Sequence, residues 1–224
     1  MARDAALRVK TARVFIADDH AVVRSGLREL IAQEPDLEVC GEASGVAGAL
    51  QQVEATEPDL IILDLSFRDG HGLELIQQLK AKLPPIPILV LTMHDEQVYA
   101  ERVLRAGAKG YLNKQEPVEH VVRAIRRVLE GGVYLSGSST DFILSKLVGE
   151  KRASDLPLER LSNREVEILE AIGQGLSTRE IARRLHLSTK TVYTHREHLQ
   201  RKLSLKTTGE LVRYAVVRSL DGQS

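Results

Sequence analysis

The stretch Leu60-Ile61-Ile62-Leu63-Asp64 decides the architecture of this chain. Four consecutive apolar residues without polar alternation predict a strand buried on both faces, the kind found in parallel sheets covered by helices on either side. A second such run, Val14-Phe15-Ile16-Ala17, ends in the pair Asp18-Asp19. Open parallel sheets present their chemistry at the carboxyl ends of the strands. Three carboxylates therefore converge at one edge, where their repulsion demands a cation between them. A hard divalent ion with oxygen ligands, Mg2+ above all, answers that demand.

Outward from these runs, strand-like and helix-like segments alternate. Strands are expected at Arg13–Asp18, Leu37–Ala43, Leu60–Leu65, Pro87–Thr92 and Gly110–Asn113. Helical periodicity occupies about Ala21–Gln33, Val46–Ala55, Leu73–Leu83, Glu96–Ala106 and Val118–Glu130. Five βα units predict an α/β fold, a flavodoxin-like, doubly wound, five-stranded parallel sheet with right-handed crossovers. Gly131-Gly132 ends the last helix, and the Ser- and Gly-rich segment Ser136–Ser154 reads as a linker around a short apolar helix, Phe142–Val148.

After Pro157 the pattern is helical only. Ser162-x-x-Glu165, Ser177-x-x-Glu180 and Thr207-x-x-Glu210 are capping boxes, in which the hydroxyl accepts from the N3 amide and the carboxylate reaches back to the cap amide. Ser188 caps a further helix. Four helices follow, at roughly 163–173, 178–185, 189–203 and 208–218. Only His186-Leu187-Ser188 separates the second from the third, the short connection of a helix-turn-helix. The expected domains are an N-terminal extension over 1–12, the α/β domain over 13–130, a linker over 131–157, and a small all-α domain over 158–220.

Composition narrows the function classes. Across 224 residues, 31 Lys and Arg balance 31 Asp and Glu. Residues 151–224 carry 14 basic against 9 acidic residues, a net of +5, and residues 1–150 carry 17 against 22, a net of −5. An acidic first part and a basic second part point to nucleic acid as the partner of the second. No apolar run reaches the ~18–20 residues of a membrane span, and Met1 to Ala12 lacks the apolar core of a signal peptide. The single cysteine, Cys40, lies in an apolar stretch and is expected to be a buried reduced thiol, which fits the cytoplasm.

Residues 13–130 resemble the receiver domain of bacterial two-component response regulators. The resemblance rests on Asp18-Asp19, Asp64, Gly72 eight positions later, Thr92, Lys114, and the run Ala106-Gly107-Ala108-Lys109-Gly110-Tyr111-Leu112 before that lysine. It implies that Asp64 is the phosphoacceptor, that Asp19 binds Mg2+ directly and Asp18 through water, and that the backbone carbonyl of Ser66 completes the metal ligands. Lys114 pairs with Asp64 at rest and with a phosphoryl oxygen afterwards, to which Thr92 also donates. Thr92 and Tyr111 are then the switch residues, the aromatic side chain following the threonine inward. Two departures stand out. Ser66-Phe67-Arg68-Asp69 replaces the Met-Pro common in the family, and Arg68 is expected to free that loop and add a cation. His94 and Ser66 stand where relatives tune dephosphorylation.

Residues 161–217 resemble the LuxR-type helix-turn-helix of the NarL/FixJ response regulators. The matching pieces are Leu161-Ser162-x-Arg164-Glu165, Gly175-Leu176-Ser177, Glu180-Ile181-Ala182, Leu187-Ser188, Thr191-Val192, His195, Lys202-Leu203 and Glu210-Leu211. The helix Thr189–Leu203 is expected in the major groove of double-stranded DNA. Tyr193, Thr194 and Glu197 are the candidate base readers, and Arg196 reads a base or holds a phosphate. Lys190, Thr191, His195 and Thr178 are the candidate phosphate contacts. Relatives often carry lysine where Tyr193 and Glu197 stand. His186, His195 and His198 have neither cysteine nor carboxylate partners at ligand spacing, so no metal is expected there.

The resemblance implies a transcription regulator, phosphorylated by a sensor histidine kinase, that binds an inverted-repeat operator as a homodimer. The last helix, with Leu211, Val212, Tyr214, Ala215 and Val216, is the expected dimer contact. RNA polymerase is a further partner, and no membrane is involved. Catalysis is expected only of its own Mg2+-dependent phosphorylation and dephosphorylation. The alternative is a DNA-binding regulator whose receiver works without phosphate, as a docking or dimerisation module. An aspartyl-phosphate hydrolase is disfavoured, because the acid such enzymes commonly need two residues after the nucleophile is here Ser66.

Overall fold

The computed structural model describes residues 11–83, 85–136, 140 and 160–221. The chain divides into two compact units, Met1–Thr140 and Asp141–Ser224. The expected linker helix Phe142–Val148 and nearly all of the N-terminal extension lie outside the described residues.

In the first unit, β1 (Ala12–Ala17), β2 (Leu37–Ala43), β3 (Leu60–Leu63), β6 (Ile88–Thr92) and β7 (Gly110–Asn113) form one sheet in the order β2-β1-β3-β6-β7. Every pairing in it is parallel. The apolar runs that predict burial on both faces are buried throughout, β3 and β6 along their whole length. Alternate residues serve opposite layers. Val14, Ile16, Leu60, Ile62, Leu89, Leu91 and Leu112 pack on Leu27 and Ile31 of α1 (Ala21–Ala32) and on Val121, Ala124, Ile125 and Val128 of α5 (Val118–Leu129). The intervening residues, among them Phe15, Ile61 and Val90, are buried as well. α2 (Val46–Thr56), α3 (Gly72–Lys82) and α4 (Glu96–Arg105) complete the unit.

Two features depart from the expected pattern. The strand after Leu60 stops at Leu63, and a two-stranded antiparallel hairpin follows, β4 (Ser66–Phe67) with β5 (Gly70–His71). The loop expected to be freed by Arg68 is instead tied down. Asp69 at its tip accepts from the amides of Val46 and Ala47 at 2.9 and 3.2 Å, capping α2. Cys40, expected to be buried, is half-buried in a β-bulge, because the register with β1 slips between Val39 and Gly41. Burial still pushes its thiol pKa up.

In the second unit, α6 (Asn163–Gly173), α7 (Thr178–Arg184), α8 (Thr189–Lys202) and α9 (Thr208–Asp221) enclose Leu161, Val166, Ile168, Leu169, Ile172, Ile181, Val192, Leu199 and Leu211. The capping boxes at Ser162 and Ser177 form as expected. At the third, Thr207 Oγ1 accepts from Glu210 N at 3.1 Å, but the carboxylate reaches one residue further back, to Lys206 N at 2.7 Å.

Gly72 explains why α3 can begin against the end of β3. A Cβ at this position would stand 2.4 Å from Asp64 O and 2.6 Å from Leu65 Cα, both backbone atoms with no freedom to retreat. The substitution Gly72→Ala is expected to destabilise the first unit by about 2–3 kcal/mol, as overpacking does. Urea denaturation of the full chain checks this, and an unchanged midpoint would refute the close approach.

Candidate functional site

The carboxyl ends of β1, β3, β6 and β7 meet at one acidic edge. Asp18 follows β1 and Asp64 follows β3, each only 2% exposed. Lys114, just beyond β7, sends its ammonium between them, 2.6 Å from Asp18 Oδ2 and 2.6 Å from Asp64 Oδ2. Backbone bonds fix the three residues: Asp18 N donates to Ala43 O, Asp64 N to Ala17 O and Lys114 N to Thr92 O. The second oxygen of Asp64 accepts from Leu65 N at 2.6 Å, and that of Asp18 from His20 N at 2.8 Å.

Charge is unevenly tolerated here. Burial raises the pKa of Asp18, and repulsion from Asp64 adds to it, against the opposing pull of Lys114. For Lys114 burial works to lower the pKa, but the two carboxylates outweigh it and hold the ammonium protonated.

Asp19 is more open, and ligand atoms of Asp18, Asp19, His20 and Asp64 all lie within 4.8 Å of one another. His20 was not among the expected site residues. Its Nδ1 stands 2.7 Å from Asp19 Oδ1 and 3.3 Å from Asp18 Oδ1, and adjacency to the aspartate pair was the only signal in the sequence. Arg68 Nε lies 3.8 Å from Asp19 Oδ2, so the extra cation does reach the edge. Arg24 Nη1 donates to the backbone oxygen of Asp18 at 2.6 Å.

Thr92 ends β6 and is fully buried, and its hydroxyl has no hydrogen-bond partner among the described residues. A buried hydroxyl in that state costs about 1–3 kcal/mol, and it stands at the strand end nearest the acidic edge, able to donate to an acceptor there. Tyr111 is also buried, on the sheet and not in solvent, and its hydroxyl donates to His94 O at 2.6 Å. Asn113 Nδ2 donates to the same oxygen at 3.1 Å, while Ser66 Oγ and His94 Nε2 are 3.0 Å apart. The residues expected to switch and to tune are therefore linked through one segment, 92–94.

In the second unit, Ser188 Oγ accepts from Thr191 N at 3.0 Å and starts α8. Arg164 Nη2 donates to Leu185 O at 2.6 Å, satisfying a carbonyl at the end of α7 and tying α6 to the turn. On α8, Val192 and Leu199 point into the core, while Lys190, Tyr193, Thr194 and Glu197 are exposed, Tyr193 at 59%. Thr178, Thr191, His195 and Arg196 are half-buried. His195 leans toward α6, and burial lowers its pKa. Along α9 Leu211 and Ala215 are buried, whereas Val212, Val216 and Val217 are exposed, leaving an apolar strip.

A doubly wound α/β unit with a lysine-bridged acidic edge, carried on one chain with a helix-turn-helix unit, defines a two-component response regulator. Family comparisons agree with that class. Residues 14–126 match the response regulator receiver domain, and residues 159–215 match the bacterial regulatory proteins of the luxR family. The oxygen regulatory protein NreC of Staphylococcus haemolyticus is 39% identical over 93% of this chain and 98% of that protein. The NreC protein of Staphylococcus carnosus is 38% identical over the same shares. RcsB from Salmonella enterica serovar Typhimurium, solved bound to promoter rprA in the presence of the phosphomimetic BeF3−, aligns with a TM-score of 0.62 and 27% identity, covering 92% of this chain and 98% of that one. The chain belongs to the NarL/FixJ family of response regulators, with a receiver domain and a LuxR-type DNA-binding domain.

The raised pKa of Asp18 fixes the sign of a pH effect. A carboxyl whose folded pKa exceeds its unfolded value near 3.9 favours folding at low pH and weakens it once ionised. Asp18→Asn is therefore expected to raise the melting temperature of the metal-free protein at pH 7, with the gain fading as pH falls toward 4. Calorimetry at several pH values checks this, and a loss of stability at pH 7 would contradict it.

Proposed function

We propose that Asp64 accepts a phosphoryl group and that its phosphorylation governs DNA binding by α8. The observation that carries this reading is the single ammonium of Lys114 held 2.6 Å from both Asp64 and Asp18. The donor set suits Mg2+, since Asp18, Asp19 and Asp64 offer neighbouring carboxylate oxygens and hard cations prefer oxygen. Asp19 would hold the ion directly, Asp18 through water, and the carbonyl of Ser66 would complete the protein ligands. When bound, Mg2+ supplies positive charge to the phosphoryl oxygens.

A sensor histidine kinase is the donor. A carboxylate oxygen of Asp64 attacks phosphorus, the P–N bond to the donor histidine breaks, and the imidazole leaves. Lys114 then pairs with a phosphoryl oxygen, and the buried Thr92 hydroxyl donates to another. Positioning and charge neutralisation are what phosphoryl transfer chiefly asks of a protein. The added charge of about −1.5 to −2 draws Thr92 inward, and Tyr111, bonded to His94 O, carries the shift to the outer edge of the sheet.

In this reading residues 13–130 are the receiver, 131–157 a linker with a short helix, and 158–220 the DNA-binding domain, after an extension over 1–12. Tyr193, Thr194 and Glu197 face base edges, with Arg196 on a base or a phosphate. Thr178, Lys190, Thr191 and His195 hold phosphates. The active form is a homodimer through the apolar strip on α9, which sets two copies of α8 on an inverted repeat. RNA polymerase is the downstream partner, and the protein works in the cytoplasm.

Selection of bound DNA from a random pool, with and without an acyl-phosphate donor, tests the whole reading. A palindromic sequence enriched only with the donor is expected, and equal enrichment would favour the receiver as a phosphate-independent docking module. Asp64→Asn is expected to abolish uptake of labelled phosphoryl group, and label retained on the variant would reassign the acceptor. Operator affinity should fall steeply between 50 and 200 mM salt, by roughly 10³-fold if about six phosphates are contacted. Fluorescence anisotropy across that range checks it, and a flat response would remove α8 from the phosphate backbone.

A further inference from the structure

We propose that Glu165, His195 and His198 form a second metal site, within the helix-turn-helix unit, for a first-row transition ion of the Zn2+ class. Glu165 lies in the first turn of α6, and both histidines lie on one face of α8, three positions apart. One ligand atom from each lies within 4.8 Å of the other two. His198 Nδ1 is 3.9 Å from Glu165 Oε1. The two imidazole rings stand edge to face, with centroids 6.3 Å apart.

The two oxygens of Glu165 have separate tasks. Oε2 accepts from Ser162 N at 2.7 Å and from Lys202 Nζ at 2.6 Å. Those contacts orient the carboxylate as outer partners orient metal ligands elsewhere, and they leave Oε1 facing the histidines. His195 Nδ1 is shielded from solvent and has no hydrogen-bond partner among the described residues. As the Nε2–H tautomer it presents a buried lone pair, an unfavourable state that a bond to a metal removes.

Two imidazoles and one carboxylate are a set that selects Zn2+ and its neighbours over Mg2+. Tetrahedral bonds of about 2.0–2.2 Å put ligand atoms roughly 3.3–3.5 Å apart. The three ligand atoms would have to draw together from within 4.8 Å to reach that separation, with His198, whose side chain is 39% exposed, turning toward Glu165. The ion would clamp α6 to α8 behind the exposed face of α8.

Full-length protein in excess Mg2+, which occupies the acidic edge of the receiver, is titrated with Zn2+ against a chromogenic chelator. One Zn2+ per chain is expected, with affinity lowered roughly tenfold or more in His198→Gln and in His195→Gln. Zn2+ should raise the melting temperature of the wild type but not of His198→Gln, whose metal-free melting should match the wild type. Absence of uptake in excess Mg2+ would overturn the site. So would uptake unchanged in both histidine variants, or uptake lost in Asp18→Asn and kept in His198→Gln, which would put the ion on the receiver.

Discussion

The acidic edge depends on one ammonium. Asp18 and Asp64 are almost wholly withdrawn from water, and two buried carboxylates so close are held together by Lys114, 2.6 Å from each, with the amides of His20 and Leu65 donating to their other oxygens. The balance is incomplete, since Asp18 is still held above its ordinary pKa by burial and by its neighbour. Repulsion is therefore stored at the strand ends. An edge of this kind gains more from each added positive charge than a neutral surface would, because low local dielectric magnifies every interaction. Lys114 is equally constrained: its backbone amide is bonded to Thr92 O, so its chain cannot drift from the end of β6. The same residue that neutralises the acids thus ties the last strand to the one that ends in Thr92.

From that point the structure offers a short physical route outward. Thr92 carries a buried hydroxyl without a hydrogen-bond partner among the described residues. Two residues on, the carbonyl of His94 accepts from both Tyr111 and Asn113, and the His94 ring meets Ser66 Oγ. A shift of Thr92 cannot leave that carbonyl where it is without straining bonds to β7. On the other side of the edge, Asp69 locks the β4–β5 hairpin to the start of α2, so the segment after Asp64 is braced and not loose.

How much of this could be read from sequence follows from the range of each interaction. Leu60–Leu63 and Val14–Ala17 announced doubly buried strands because burial on both faces is written in consecutive residues. The helix starts were legible at Ser162 and Ser177 because a capping box closes over four residues. Gly72 showed itself only as a matching position, since the reason for it, the backbone at Asp64 and Leu65, emerges once α3 is packed. Asp69 capping a helix that begins 23 residues earlier left no local mark. The same is true of Glu165, whose carboxylate meets histidines 30 and 33 positions later. Cys40 was misjudged because an apolar neighbourhood does not reveal a bulge.

As the proposed DNA-reading helix, α8 poses an electrostatic problem that the rest of its domain must solve. Its exposed face carries Lys190 but also Glu197, and an acid there repels the phosphate backbone while remaining able to accept from a cytosine amino group. Tyr193, exposed beside it, brings contact area but no charge. Affinity for a duplex must then come from elsewhere in residues 151–224, whose net charge is +5 even with Glu197 counted. Lys202, directed inward to Glu165, is not available for that purpose. Backbone amides at the start of α8 are available, because Ser188 caps Thr191 N and leaves the neighbouring donors at the positive end of the helix dipole. In the proposed reading, affinity in this domain is thereby separated from sequence reading: phosphates would be held by the start of the helix and the basic surface, and bases by an uncharged aromatic residue and an acid.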